Sequence, residues 1–153
     1  MFLKKIKNTI KKVDNKFLKS SIIDTYLKLK YYLEIKKIYL SIEKGDFEKK
    51  KRHDLNKELV VSLTSYSKRF KTLPLVLNSI QNQTILPDKI ELWIEENDKP
   101  LLSDKIYKFK DVDIKICENG LFSYKKIIPS LKENDDRFIV TFDDDIIYPN
   151  NSL

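Results

Sequence analysis

Glycine, cysteine, histidine and long apolar runs are what this sequence has least of. Only Gly45 and Gly120 occur in 153 residues, so neither a GxGxxG dinucleotide turn nor a GxxxxGK[ST] phosphate loop can be written anywhere. Any nucleotide must be held another way. The single cysteine, Cys117, has no partner for an internal disulfide, and a thiolate metal site needs several ligands. It reads as a small buried hydrophobe. The single histidine, His53, lies in the polar run KKKRHDLNKE and reads as a solvated linker residue, which leaves no basis for a His-dependent hydrolytic triad. Carboxylates are left to carry any catalysis. No segment approaches the roughly 18 apolar residues of a membrane span. The opening MFLKKIKNTIKK has neither the apolar core nor the cleavage site of a secretory signal. A cytoplasmic location follows as the expectation.

What is present in excess is lysine, and it is unevenly placed. Residues 1–56 hold sixteen Lys or Arg against seven Asp or Glu, whereas residues 57–153 hold fourteen against sixteen. The basic surplus is confined to the first third. A nucleic-acid-binding domain would carry its positive charge on the folded body, where it tracks phosphates, so no nucleic-acid partner is expected. In residues 1–44, Phe2, Ile6, Ile10, Val13 and Phe17 recur at helical spacing among lysines, followed by Ile22, Tyr26, Leu29 and Leu33 and then Ile35, Ile38, Tyr39 and Ile42. The segment is expected to pack its apolar face on protein, or to lie peripherally on an anionic inner leaflet. Organisation is read as a basic amphipathic helical region over 1–47, a linker over 48–58 and an α/β domain over 59–153.

From Leu59 onward the pattern changes to short apolar runs separated by polar turns. LVVSLTS (59–65) reads as a buried strand. Leu73, Val76, Leu77 and Ile80 have the spacing of one helix face, with Pro74 in its first turn. Asn82-Gln83-Thr84 spells a glycosylation sequon, but in a cytoplasmic chain it reads as a helix stop. KIELWIE (89–95) is a second strand, with Trp93 expected in the core, and VDIKIC (112–117) is a third. A short helix is expected around Ile106–Phe109. Tyr124, Ile127, Ile128 and Leu131 mark another that Pro129 interrupts or restarts. RFIVTF (137–142) is the fourth strand, running straight into Asp143-Asp144-Asp145. Strands alternating with helices predict a doubly wound, mostly parallel sheet, a Rossmann-like half preceded by the basic helical region.

Ligands in such sheets bind at the carboxyl ends of the strands, so those ends are where chemistry is sought. They carry Thr64-Ser65-Tyr66 with Arg69 following, then Glu95, then the acidic triplet. Three adjacent aspartates raise one another's pKa unless a positive partner compensates them, and a hard divalent cation is the natural one. Side chains at i and i+2 of a strand share a face, so Asp143 and Asp145 are expected to point together and Asp144 elsewhere.

The series VVSLTSYSKR, LNSIQNQT, PDKIELWIEEN, SYKKIIPSL and FIVTFDDDIIYPNN resembles the nucleotide-sugar-binding half of a GT-A-fold glycosyltransferase. The nearest resemblance is to family 2-like bacterial enzymes that build surface polysaccharide. It covers about residues 59–153 and none of the basic third. The resemblance implies that Thr64, Ser65, Tyr66, Arg69 and Glu95 hold the base and ribose of a nucleotide-sugar donor, and that Lys125 or Lys126 approaches its diphosphate. Asp143 and Asp145 are similar to a DxD pair that touches ribose and binds Mn²⁺ or Mg²⁺, with Asp144 between them in the donor site. A glycan or lipid-linked acceptor is implied as the second partner. Enzymes of that family continue beyond the DxD into an acceptor-binding half, whereas Leu153 lies eight residues past Asp145. No general base can be assigned, and a fragment, a truncated product or a donor-binding half inactive alone is expected. A non-catalytic basic membrane or partner-binding module and another α/β metal enzyme, such as a phosphotransferase, are the competing readings.

Overall fold

The structure, a computed structural model, describes residues 16–44, 51–133 and 136–153. The chain divides into two compact units, Met1–Leu40 and Ser41–Leu153. Most of the first is α1 (Lys16–Lys44), one unbroken helix of 29 residues whose last turn belongs to the second unit, so the stretches Ile22–Leu33 and Ile35–Ile42 share a single helix. Phe2, Ile6, Ile10 and Val13 lie outside the described residues. Along α1, Ile22, Tyr26, Leu29 and Leu33 are half-buried while Leu18, Leu27, Tyr31 and Tyr32 are exposed. No helix among the described residues is long and apolar enough to cross a membrane.

The second unit is α/β with parallel strands throughout. Its elements are β1 (Lys51–Arg52), β2 (Leu59–Thr64), α2 (Leu73–Gln81), β3 (Ile85–Leu86), β4 (Lys89–Glu95), α3 (Asp104–Tyr107), β5 (Val112–Cys117), α4 (Ile128–Glu133) and β6 (Phe138–Phe142). Short 3₁₀ turns occupy Ser67–Arg69, Glu96–Leu101 and Phe122–Lys126. The main sheet has four strands in the order β5-β4-β2-β6, every neighbouring pair parallel. β2 is therefore flanked on both sides, and its residues Val60 to Leu63 have no exposed surface, as a doubly covered parallel strand requires. α2 is buried along its whole length and packs against α3. Leu73, Leu77, Ile80, Leu92, Ile94 and Ile106, all fully buried, form the core between that helical layer and the sheet. Trp93, at 3% exposure, is buried on the opposite face of β4, beside Glu91 and Lys115.

Local departures from the sequence reading have identifiable causes. The helix expected around Tyr124–Leu131 is split into the 3₁₀ turn and α4, because Pro129 has no amide hydrogen to continue a helix and instead sits in the first turn of a new one. The short helix before β5 comes two residues early, at Asp104–Tyr107. The linker is more structured than its polarity suggests, since Lys51–Arg52 pairs in parallel with Ile85–Leu86.

His53, expected to be solvated, has a side chain only 9% exposed. Its Nδ1 accepts from the Leu55 amide at 3.2 Å, so Nε2 carries the proton and donates to Asp88 Oδ2 at 2.7 Å. The Leu59 amide donates to the same carboxylate at 2.8 Å, tying the entry of β2 to the turn before β4. That amide first, and His53 after it, outweigh burial and hold the Asp88 carboxyl below the usual range. A depressed folded pKa makes this stabilisation fully present above the unfolded value and lost as pH falls through the folded one. Asp88→Ala is expected to lower stability by about 1 to 2 kcal/mol near neutrality, with the deficit fully present above the ordinary aspartate range and shrinking only as pH falls below it. Urea unfolding across that pH range checks both the size and the sign.

The sequon also resolves structurally. Asn82 Nδ2 donates back to the Asn78 carbonyl at 2.9 Å, closing α2. Gln83 is fully buried and clamps the last described segment, donating to Pro149 O and accepting from the amides of Ser152 and Leu153.

Candidate functional site at the carboxyl ends of the strands

The strand order locates a crevice. The chain leaves β2 for β4 and β5 on one side, then returns to place β6 on the other, so connections diverge from β2 and β6 at their carboxyl ends. The loop after β2 and the acidic turn after β6 meet there. β6 pairs with β2 only as far as Phe142–Leu63, and residues 143–145 have already left the strand.

That early exit changes what each aspartate does. Strand alternation no longer applies, and Asp144, not its neighbours, turns inward to 6% exposure. Its Oδ2 accepts from Ser65 Oγ at 2.7 Å and its Oδ1 from Arg69 Nη1 at 2.5 Å. Both carboxylate oxygens are thus engaged by the β2 loop. Asp145, exposed, receives Arg69 as well at 2.9 Å, while Asp143 faces Lys126 at 2.5 Å. Asp143 and Asp145, expected to point together, are ion-paired to different cations, Lys126 and Arg69. The hydrogen bond and charge of Asp144, and more weakly Asp145, raise the Arg69 pKa, so that guanidinium stays charged throughout. Arg69 also lies 5.5 Å from the centre of the Tyr66 ring, a cation–π distance.

The turn is braced from behind. Tyr148 stacks on Phe142 with ring centres 4.1 Å apart, and its hydroxyl accepts from the Asp143 amide at 2.7 Å. Its own amide donates to Ser79 Oγ of α2 at 3.1 Å. Nothing in the sequence marks Tyr148 apart from its place in IIYP.

Beside this turn lies a cavity of about 440 Å³. It is lined from the β2 end by Thr64, Ser65, Tyr66, Ser67 and Arg69, from the β4 end by Glu95 and Asp98, from the turn after β5 by Phe122, Ser123 and Lys125, and from the β6 end by Asp144. Seven of the ten residues selected from sequence share this wall. Lys126, Asp143 and Asp145 do not. Ser67, Asp98, Phe122 and Ser123 are additions that sequence reasoning missed; Asn119-Gly120 signals the turn but not the role of the residues after it. Lys125 is almost wholly buried and has Glu95 Oε1 at 3.0 Å, so one acid and one base share the floor. Thr64 Oγ1 donates to Trp93 O at 2.8 Å, which spends its proton on the sheet and leaves its oxygen as an acceptor.

Cys117 is half-buried, with Sγ 3.4 Å from Ile94 O. Burial pushes its thiol up, the opposite of an activated nucleophile.

Among the described residues no three His, Cys, Asp or Glu side chains gather into a cage for a metal ion. Asp143 and Asp145 nevertheless offer exposed hard oxygens, each with a single ion pair among the described residues. That donor set suits a divalent cation whose other positions are filled by water or phosphate oxygens. No family model matches the chain, and neither does any curated protein or solved structure.

Proposed function

We propose that the chain binds the donor of a nucleotide-sugar-dependent glycosyl transfer, as a glycosyltransferase or its donor-binding part acting toward a glycan or lipid-linked acceptor. One observation carries the reading. The β2 loop and the acidic turn after β6, distant in sequence, line one cavity at the point where a parallel sheet of this order binds ligands. The cavity has the size of a small-ligand site and mixes aromatic wall with a few fixed polar groups.

The chemistry follows from charge. Breaking a glycosidic bond to a nucleoside diphosphate builds negative charge on the departing diphosphate, and the site must stabilise it. Asp143 and Asp145 would hold Mn²⁺ or Mg²⁺, which when bound would supply Lewis-acid stabilisation of phosphate charge. Lys126, already 2.5 Å from Asp143, supplies a point charge on the same side, and Lys125 supplies another from the cavity floor. Thr64, Ser65 and Tyr66 supply hydroxyls, with Ser65 oriented by Asp144.

Calorimetric titration of the full chain with uridine, thymidine and guanosine diphosphates tests the proposal. At least one is expected to bind with Mn²⁺ and to lose at least tenfold in affinity without it. Asp145→Ala should remove the metal dependence while leaving the unfolding temperature unchanged, because Asp145 is exposed and bonds only at the surface. Equal affinity with and without metal would overturn the proposal.

A further inference from the structure

Phe122 is the most exposed large apolar residue described, at 79%, and it lies on the cavity wall. Its backbone has φ of +46°, the left-handed region that a bulky side chain rarely enters. Neither feature helps the fold. An exposed ring gains no burial, and a strained backbone at a cavity mouth persists only where neighbouring structure holds it there. Gly120, at φ +86°, sets up the turn, and the Phe122–Lys126 segment then packs over the carboxyl ends of β2 and β4.

Position decides what such a ring would meet. The acidic turn lies at the β6 side of the crevice, so a metal and a diphosphate belong there, and a nucleotide extending from it crosses β2 toward β4. The cavity wall carries Phe122 after β5 and the carboxylates of Glu95 and Asp98 after β4, with Tyr66 from the β2 loop beside Arg69. A planar heterocycle with ring N–H groups matches an aromatic face combined with carboxylate acceptors. We infer that Phe122 is a base-stacking residue, its ring held out by a strained turn to receive the nucleobase of the bound nucleotide. The inference rests on the proposed nucleotide binding and adds the residue that would give the base its grip.

The test compares Phe122→Ala, Phe122→Gly and Phe122→Trp, titrated with uridine diphosphate and with inorganic pyrophosphate, both in Mn²⁺. Alanine and glycine are each expected to weaken the nucleotide about tenfold, as loss of one base–aromatic stack should, and tryptophan to retain it. Pyrophosphate, which has no base, should bind all four proteins alike. Phe122→Gly should also unfold at a temperature no lower than the parent chain, since glycine relieves the positive φ. Undiminished nucleotide affinity in the alanine and glycine variants would overturn the inference, as would an equal loss for pyrophosphate. Failure of the nucleotide proposal looks different, because the parent chain would then bind no nucleotide at all.

Discussion

Replacing Asp144 by alanine is expected to weaken metal-dependent nucleotide binding by about a hundredfold and to lower stability by about 2 kcal/mol. The carboxylate holds two donors in place. Ser65 Oγ and Arg69 Nη1 converge on its two oxygens at 2.7 and 2.5 Å, and the aspartate is 6% exposed. A charge-assisted hydrogen bond contributes about 1.5 to 3 kcal/mol, discounted here because the Arg69 side chain is 36% exposed and water can replace part of it. The larger consequence is positional. Without Asp144, Arg69 keeps the exposed Asp145 as its remaining carboxylate partner among the described residues, and a guanidinium that pairs fully with Asp145 competes with any cation for that carboxylate. One substitution therefore loosens the hydroxyl wall and obstructs the metal end together. Asp144→Asn separates the two effects, because its amide oxygen still accepts from one donor while the negative charge is gone. It should keep most of the stability and recover only part of the binding. Asp145→Ala gives the opposite pattern, full stability without metal dependence. A merely structural Asp144 would lose stability and affinity in proportion across all three variants.

That distinction among three adjacent aspartates could not be read from sequence. DDD after an apolar run announces a charged strand end, and alternation assigns Asp143 and Asp145 to one face. Alternation holds only while the strand lasts, and β6 stops at Phe142. Where it stops, Tyr148 stacks on Phe142 from six residues away, a contact with no periodic signature. The four strands of the main sheet were legible to within a residue because each is a run of β-branched or apolar residues bounded by turn signals, whereas the two-residue pair β1 and β3 gave no such run. Their lateral order was not, since register between distant strands has no trace in a single chain. That order places the crevice between β2 and β6. His53 misled for a related reason. It sits in a charged run between Arg52 and Asp54, yet its ring reaches Asp88, thirty-five positions away. Phe122 gave no signal at all, because its significance lies in a backbone angle and a cavity.

Glu91 shows the same limit on the opposite side of β4 from the alternating Ile90, Leu92 and Ile94, and its removal is expected to cost more stability than that of Asp88 or Asp144. Alternation places it on a polar face, but it has no exposed surface. Four donors meet its carboxylate: Ser130 Oγ at 2.7 Å, Arg137 Nη1 at 2.8 Å, Lys115 Nζ at 3.0 Å and Trp93 Nε1 at 3.3 Å. They come from α4, the entry to β6, β5 and β4, so one side chain joins three strands and a helix. Burial alone would raise the Glu91 carboxyl, yet the hydrogen bonds from Ser130 and Lys115 and the charges of Lys115 and Arg137 outweigh it and hold the pKa below the usual glutamate range. Glu91 therefore stabilises the fold fully above its unfolded pKa, and this contribution disappears as pH falls through the lower folded value.

Arg137 makes the deletion severe. Its side chain is 3% exposed, and Glu91 is its close carboxylate partner, with Glu58 and Glu133 each at 3.9 Å. Taking away one half of a buried pair leaves the other charged and desolvated, at a cost of about 3 to 5 kcal/mol, against a typical total of about 5 to 15 kcal/mol for a domain. Glu91→Ala should accordingly unfold at much lower urea or fail to accumulate as soluble protein. Glu91→Gln keeps the shape and loses the charge, and should fall between. The decisive variant is the double replacement Glu91→Leu with Arg137→Met. It removes both buried charges and restores apolar volume, so it should recover most of what Glu91→Ala loses, even though it deletes more hydrogen bonds. If the double variant is no more stable than Glu91→Ala, the donors around Glu91 contribute more than the cost of burying it. The network would then be a net source of stability, not a means of fixing how β4, β5 and β6 meet.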